Sequence, residues 1–465
     1  MALLSSTRIS MSFLAICTIA LLACLSAESH VTANHKKGGK VGSQVPSMSD
    51  EELNVKRSDF PSDFLFGAGT AAAQPSNQYN IGIDSYHRYK EDVKLMKDLG
   101  MNTYRFSITW TRILPNGTLS GGVNQVGIDH YNSVINELVK NGMEPFVTLI
   151  HNDMPQALQD KYGGLLSRSF IDDFKDFSEV CFKNFGDRVK NWITINEPSV
   201  LADFGYMYGI APPFRCSYPA GPCAAGNSST EPYIVSHNMI LAHAAAVRLY
   251  RERYQSRYFK AYSDSKKHKA AAKRLTDSLM GWYIEPLMFG EYPKSMKLLV
   301  KERLPIFSEE EKKMITGTLD FIGLNYYTSR FAKADGGGFI YIYPKGLQKL
   351  LELMKQNYQN PKIYITENGM TETKNDTIPL DQALKDPKRI DFIKRHLYRM
   401  SNAIKNGVNL KGYFYWTPFD GLEWTAGYNT RFGLYFVDYN DNLKRIPKQS
   451  ARWFREFLLC NSTAC

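Results

Sequence analysis

The strongest constraint in this chain is an alternation. Seven short runs rich in β-branched and aromatic residues are FLFGAG (64–69), NTYRFSITW (102–110), EPFVTLIH (144–151), NWITINEP (191–198), LDFIGLNYY (319–327), KIYITEN (362–368) and LKGYFYWT (410–417). Between them lie stretches with apolar residues at helical spacing, such as YHRYKEDVKLMKDLG (86–100), FIDDFKDFSEVCFKNFG (170–186) and DPKRIDFIKRHLYRMSNAI (386–404). Strand-then-helix units repeated this often make a parallel sheet, because each return to the same sheet edge needs a crossover. GAGTAA, from Gly67, has two glycines of a dinucleotide fingerprint and lacks the third, so it reads as a tight strand end. A closed (β/α)8 TIM barrel is therefore expected in preference to an open doubly wound sheet. No internal linker interrupts the pattern, and residues 58–460 read as one barrel domain with a 461–465 tail.

Two of the strands end in a carboxylate. KIYITENGM runs through Ile363, Tyr364, Ile365 and Thr366 to Glu367, and Asn368-Gly369 then turns the chain. NWITINEPSV ends the same way, with Pro198 stopping the ladder just after Asn196 and Glu197. Such a pair is either a structural ion-pair network or a catalytic couple. The carboxyl ends of barrel strands form the active-site rim, and there the chain concentrates Gln74, Arg105, His151, Asn196, Glu197, Asn325, Tyr327, Glu367, Trp416, Glu423 and Trp424. Singly, each reads as an ordinary structural group. Together they describe a sugar site, with aromatic faces for C–H surfaces and amide, imidazole and carboxylate groups for hydroxyls.

The N-terminus carries an export signal: Arg8 precedes an apolar run over about 11–25, and CLSAES offers a cleavage point near Ala27. Residues 28–57 follow as a polar, flexible segment. The apolar run is short for a membrane span and no second one follows, so a soluble exported protein is expected. Two of the seven cysteines, Cys17 and Cys24, leave with the signal. Cys216 and Cys223 bracket CSYPAGPC and are expected to pair, Cys181 reads as a buried free thiol, and Cys460 and Cys465 pair or fray. Acceptor sequons at Asn116, Asn227, Asn375 and Asn461 fit the same route.

The net charge of +11 raises the question of nucleic acid. Basic residues are scattered among acids, and the one dense run, SKKHKAAAKR (265–274), has no aromatic residues interleaved for base stacking, so it reads as a solvated helix face. The nine histidines show no paired ligand spacing beside a carboxylate or thiol, so neither a metal nor a cofactor is expected.

Several motifs occur together and in order: YHRYKEDV, YRFSI, TINEP, FIGLNYYTS, YITENG, LEW, GYNTRFGLYFVDY and PKQSARWF. With them the chain resembles the plant β-glucosidases of glycoside hydrolase family 1 from about Phe60 to Leu459. The resemblance implies a retaining β-glucosidase acting on small-molecule β-glucosides, with Glu367 as nucleophile and Glu197 as acid/base. It implies that Arg105, Asn325 and Tyr327 support Glu367. It places Gln74, His151, Asn196, Tyr327, Glu367, Trp416, Glu423, Trp424 and Phe432 around the sugar. Glu at position 197 favours O-glucosides over thioglucosides, since the related thioglucosidases carry Gln there. Cell wall, apoplast and vacuole all fit the export signal, and the oligomeric state is not legible.

The chain also departs from the family. AAAQPSNQYNIGIDSYHRYKEDV (71–93) shortens the first rim loop, HWD becomes His151-Asn152-Asp153, the fifth strand shrinks to RYFKAYSDSKK (257–267), and Phe339 stands near a usual aglycone-side Trp. A truncated fifth strand and shortened rim loops imply a more open pocket, and they leave a degenerate or merely glycan-binding homologue as the alternative.

Overall fold

The structure is a computed structural model and describes residues 54–71, 82–254, 280–327 and 343–459. The export signal, most of the polar segment, Gln74, the 257–267 and 265–274 runs, Phe339, Cys460, Cys465 and Asn461 lie outside the described residues.

All seven expected strands form: β1 (Leu65–Gly69), β2 (Thr103–Ser107), β3 (Glu144–Ile150), β4 (Asn191–Ile195), β5 (Ile322–Asn325), β6 (Ile363–Asn368) and, after the short β7 (Glu372–Thr373), β8 (Leu410–Trp416). They join one parallel sheet in the order β4-β3-β2-β1-β8-β6-β5. The expected helical stretches form Ser85–Asp98, Ser169–Phe185 and Pro387–Lys405. Among the described residues no helix is long and apolar enough to cross a membrane.

The sheet curls until β3 faces β6 and β8 across its interior. Phe146 of β3 packs edge-on against Tyr364 of β6, with ring centroids 5.1 Å apart, and against Phe414 of β8 at 4.8 Å. Alternation along each strand points these rings inward, so they fill the barrel floor as a packed layer. The approach leaves little slack at β1, where a Cβ on Gly67 would stand 2.3 Å from the Thr103 carbonyl oxygen.

Among the described residues the ribbon ends at β4 and β5, and a cavity of about 490 Å³ lies between them. Its outer wall includes Met239, His243, Tyr283 and Leu287, and all five residues of β4 are only half-buried. His243 joins the two sides: its ring lies 2.8 Å from the Thr194 hydroxyl and 3.2 Å from the Thr318 carbonyl. Burial pushes its pKa down to about 4, so the ring is neutral and has one N–H. A carbonyl only accepts, which assigns that N–H to Nε2 and leaves Nδ1 accepting from Thr194.

Candidate active site

Glu197 stands where β4 gives way to the helix Pro198–Tyr206. Proline cannot extend the ladder but suits the first turn of a helix, so the change of direction falls on the residue before it. Glu197 accordingly has φ 41° and ψ 57°, a left-handed conformation that costs about 1–3 kcal/mol for a non-glycine residue. Asn196, one residue back, is buried at the top of the barrel.

Arg105, from β2, is 1% exposed and crosses the barrel interior. Nη1 donates to Glu367 Oε1 at 2.6 Å and to the Thr366 carbonyl at 3.1 Å. Nη2 donates to Asn196 Oδ1 at 2.7 Å, and Nε to Thr148 Oγ1 at 3.1 Å. One guanidinium thus ties β3, the end of β4 and β6 to its own strand. The other oxygen of Glu367 accepts from the Tyr327 hydroxyl at 2.6 Å. Burial first, then the nearby carboxylates, holds the Tyr327 pKa well above its ordinary value, so this hydroxyl stays a donor.

These contacts fix further protons. Arg105 only donates, so the oxygen of the Asn196 amide faces it and the amide nitrogen faces His151 Nε2 at 3.2 Å. His151 Nε2 must then accept. Burial, with the Arg105 charge adding to it, keeps the imidazole pKa well below its ordinary value, so the single proton sits on Nδ1. That nitrogen is buried with no hydrogen-bond partner among the described residues and offers an N–H to an incoming oxygen.

Asn325 departs from the sequence reading. Grouped there with the supports of Glu367, its side chain donates instead to Glu197 Oε1 at 2.9 Å and to Asn196 Oδ1 at 3.2 Å. Its oxygen accepts from the Thr366 hydroxyl at 2.8 Å, which sets the amide's orientation. The physical reason lies in its position: the β5–β6 register shifts at Leu324/Asn325, and the side chain ending β5 reaches across to the end of β4.

The two carboxylates therefore stand in unlike settings. Glu367 contacts a guanidinium and a hydroxyl, whereas Glu197 receives one amide hydrogen bond. Burial, with Glu367 adding to it, pushes the Glu197 pKa up to about 7 against the weaker effects of Asn325 and Arg105.

Aromatic groups surround this polar floor. Trp416 ends β8 and forms a buried cluster with Tyr327 and Phe432. The His151 ring lies nearly parallel to Trp416 and Trp424, with centroids 5.7 and 6.1 Å away. Glu423 directly precedes Trp424 on the same half-buried rim turn. A Cβ on Gly369 would come within 1.8 Å of the Trp416 carbonyl oxygen, so only glycine lets the chain leaving Glu367 pass β8 this closely. Of the expected pocket residues, only Gln74 lies outside the described residues.

The family model described as glycosyl hydrolase family 1 matches residues 73–340 and 336–463. The chain is 46% identical to β-glucosidase 12 of rice (Oryza sativa subsp. indica) over 479 residues, covering 88% of this chain and 94% of that one. The chain belongs to glycosyl hydrolase family 1. A β-glucosidase of maize (Zea mays), named for a benzoxazinyl glucoside, is 41% identical over 90% of this chain and 89% of that protein. The crystal structure of the rice β-glucosidase Os3BGlu6 superimposes with a TM-score of 0.80 at 41% identity, covering 87% of this chain and all of the other. This family 1 chain is thus a glycoside hydrolase of the plant β-glucosidase type with the family's barrel.

Beyond the helix that follows Glu197, Cys216 and Cys223 form a disulfide, while Cys181 is a buried free thiol. Gly209, at φ 63°, passes the bridge so closely that a Cβ there would lie 2.0 Å from Cys223 Sγ. Closing so short a loop stabilises the fold by about 2 kcal/mol. Cys216→Ser with Cys223→Ser should lower the melting temperature measurably, and an unchanged value would show the bridge to be thermodynamically idle. The sequon residues Asn116, Asn227 and Asn375 are all exposed.

Sequence reasoning missed Thr148 and Thr366, the two hydroxyls that orient Arg105 and Asn325. Both are inward-facing threonines within apolar strands, and polarity at a barrel-interior position is the signal that would have found them.

Proposed function

We propose that this family 1 hydrolase cleaves O-linked β-D-glucosides of small plant aglycones with retention of configuration, through a covalent glycosyl-enzyme. The observation that carries this reading is the inequality of the two carboxylates. Glu367, beside Arg105 and Tyr327, is set up to attack the anomeric carbon as an anion. Glu197, raised to about 7, holds the proton that the departing glycosidic oxygen needs.

Attack by Glu367 forms an ester to the sugar while the Glu197 proton passes to the leaving oxygen. Glu197, now ionised, takes a proton from water as that water displaces Glu367. The cycle ends with both groups in their starting states. His151 Nδ1–H and the Asn196, Glu423 and Trp416 side chains would hold the sugar, with Gln74 beside them and Trp424 and Phe432 completing the pocket. The covalent complex with glucose formed by a mutant of the rice relative Os3BGlu6 supports the same course. A glutamate at position 197 supplies its own acid, which favours oxygen-linked over sulfur-linked glucosides. The sequence signal and the exposed sequons support export to the cell wall, apoplast or vacuole.

The test is turnover of 4-nitrophenyl β-D-glucoside with the anomer released first read by NMR. β-Glucose is expected. α-Glucose as first product would overturn the retaining course, and no turnover would overturn the activity.

A further inference from the structure

Arg389 lies on the helix Pro387–Lys405, behind the pocket, and is fully buried. Each of its nitrogens is engaged. Nη1 donates to the Met370 carbonyl at 2.7 Å, the Phe432 carbonyl at 3.0 Å and the Tyr415 hydroxyl at 3.0 Å. Nη2 donates to Glu372 Oε2 at 2.6 Å and the Arg431 carbonyl at 3.3 Å. Nε donates to Asp386 Oδ2 at 2.8 Å, and Asp386 is itself held by the backbone and hydroxyl of Ser450.

The acceptors of Nη1 and Nη2 belong to three separate rim segments. Met370 follows Glu367 on the chain leaving β6, Tyr415 precedes Trp416 on β8, and Phe432 packs on Tyr327 at 6.2 Å. Tyr415 in turn donates to the same Phe432 carbonyl at 3.2 Å. Tyr327 bonds Glu367, so the third segment also leads back to the carboxylate. These segments pass one another with no spare room at Gly369. Carbonyl groups converging from three directions repel one another unless a planar cation with several fixed donors lies between them.

We infer that Arg389 is a positioning residue, whose guanidinium sets the relative placement of Glu367, Trp416 and Phe432 while touching no substrate. This inference rests on the retaining reading above. Its energetic logic is that of preorganisation, since displacing a reacting group by about 1 Å costs about 100-fold in rate.

Arg389→Lys keeps the charge and loses the planar fork. It should lower kcat/KM for 4-nitrophenyl β-D-glucoside about 100-fold and weaken binding of the imino sugar 1-deoxynojirimycin. Arg389→Ala should regain activity in millimolar guanidinium but not in urea of equal concentration. Tyr415→Phe, which removes one hydroxyl from the network, should fold normally and still lose both activity and imino-sugar affinity. Wild-type kinetics and affinity in the folded Arg389→Lys and Tyr415→Phe proteins would overturn the inference. So would an activity loss matching the loss of folded protein, with unchanged affinity in what remains folded. If the wild type itself failed to turn over the glucoside, the retaining reading would fall, while the imino-sugar affinities would still judge Arg389.

Discussion

Glu367→Gln is expected to abolish glucoside turnover, by about 10⁴-fold or more, because an amide cannot form the ester that carries the sugar through the reaction. That factor corresponds to about 5 kcal/mol of lost transition-state stabilisation. The replacement keeps the shape of the side chain and an oxygen for Arg105, so the measurement to set beside activity is affinity for an uncharged glycone such as glucose. Retained affinity with lost turnover is the expected result. Residual turnover above about one percent would assign attack to another group.

Glu197→Gln should divide substrates by their leaving groups. Natural glucosides, which need a proton on the departing oxygen, should lose about 10²–10⁴-fold, and aryl glucosides with acidic phenols much less in the first step. Azide should partly restore Glu197→Ala and give a β-glycosyl azide. In the wild type, kcat/KM should fall as pH rises through about 7, where Glu197 loses its proton. Stability should move in the same direction. Burial raises the folded-state pKa above the ordinary 4.5, so the protonated group's contribution is fully present below that value and is lost as pH rises through about 7. A basic limb unchanged in Glu197→Gln would overturn the assignment.

The strands were legible because each buried strand is an apolar run of β-branched and aromatic residues, and periodicity is a local property. The rim was legible because the ends of those runs carry polar groups that a core would not tolerate. What stayed hidden are pairings between segments. Asn325 reads as a support for the neighbouring strand, and only the position of the β5 end shows that its amide reaches Glu197. Arg389 sits in a helix sequence dense in lysine and arginine, where one more cation reads as solvent-facing, yet it is fully buried. Asp420 is similar: nothing local marks it as the buried acceptor of both Arg431 and Lys448.

Among the described residues β4 and β5 are the outer strands of the sheet, and these two lips are joined through side chains. The lips carry the chemistry. Glu197 tops one lip, Asn325 the other, and Glu367 stands one strand in from the second. The separation of the two carboxylates therefore depends on how those two lips are held to each other. The hydrogen bonds from Asn325 to Glu197 and Asn196, and the His243 link below them, therefore act as a clasp. Loss of those side-chain hydrogen bonds would act on the spacing of the carboxylates while leaving the strand ladders in place.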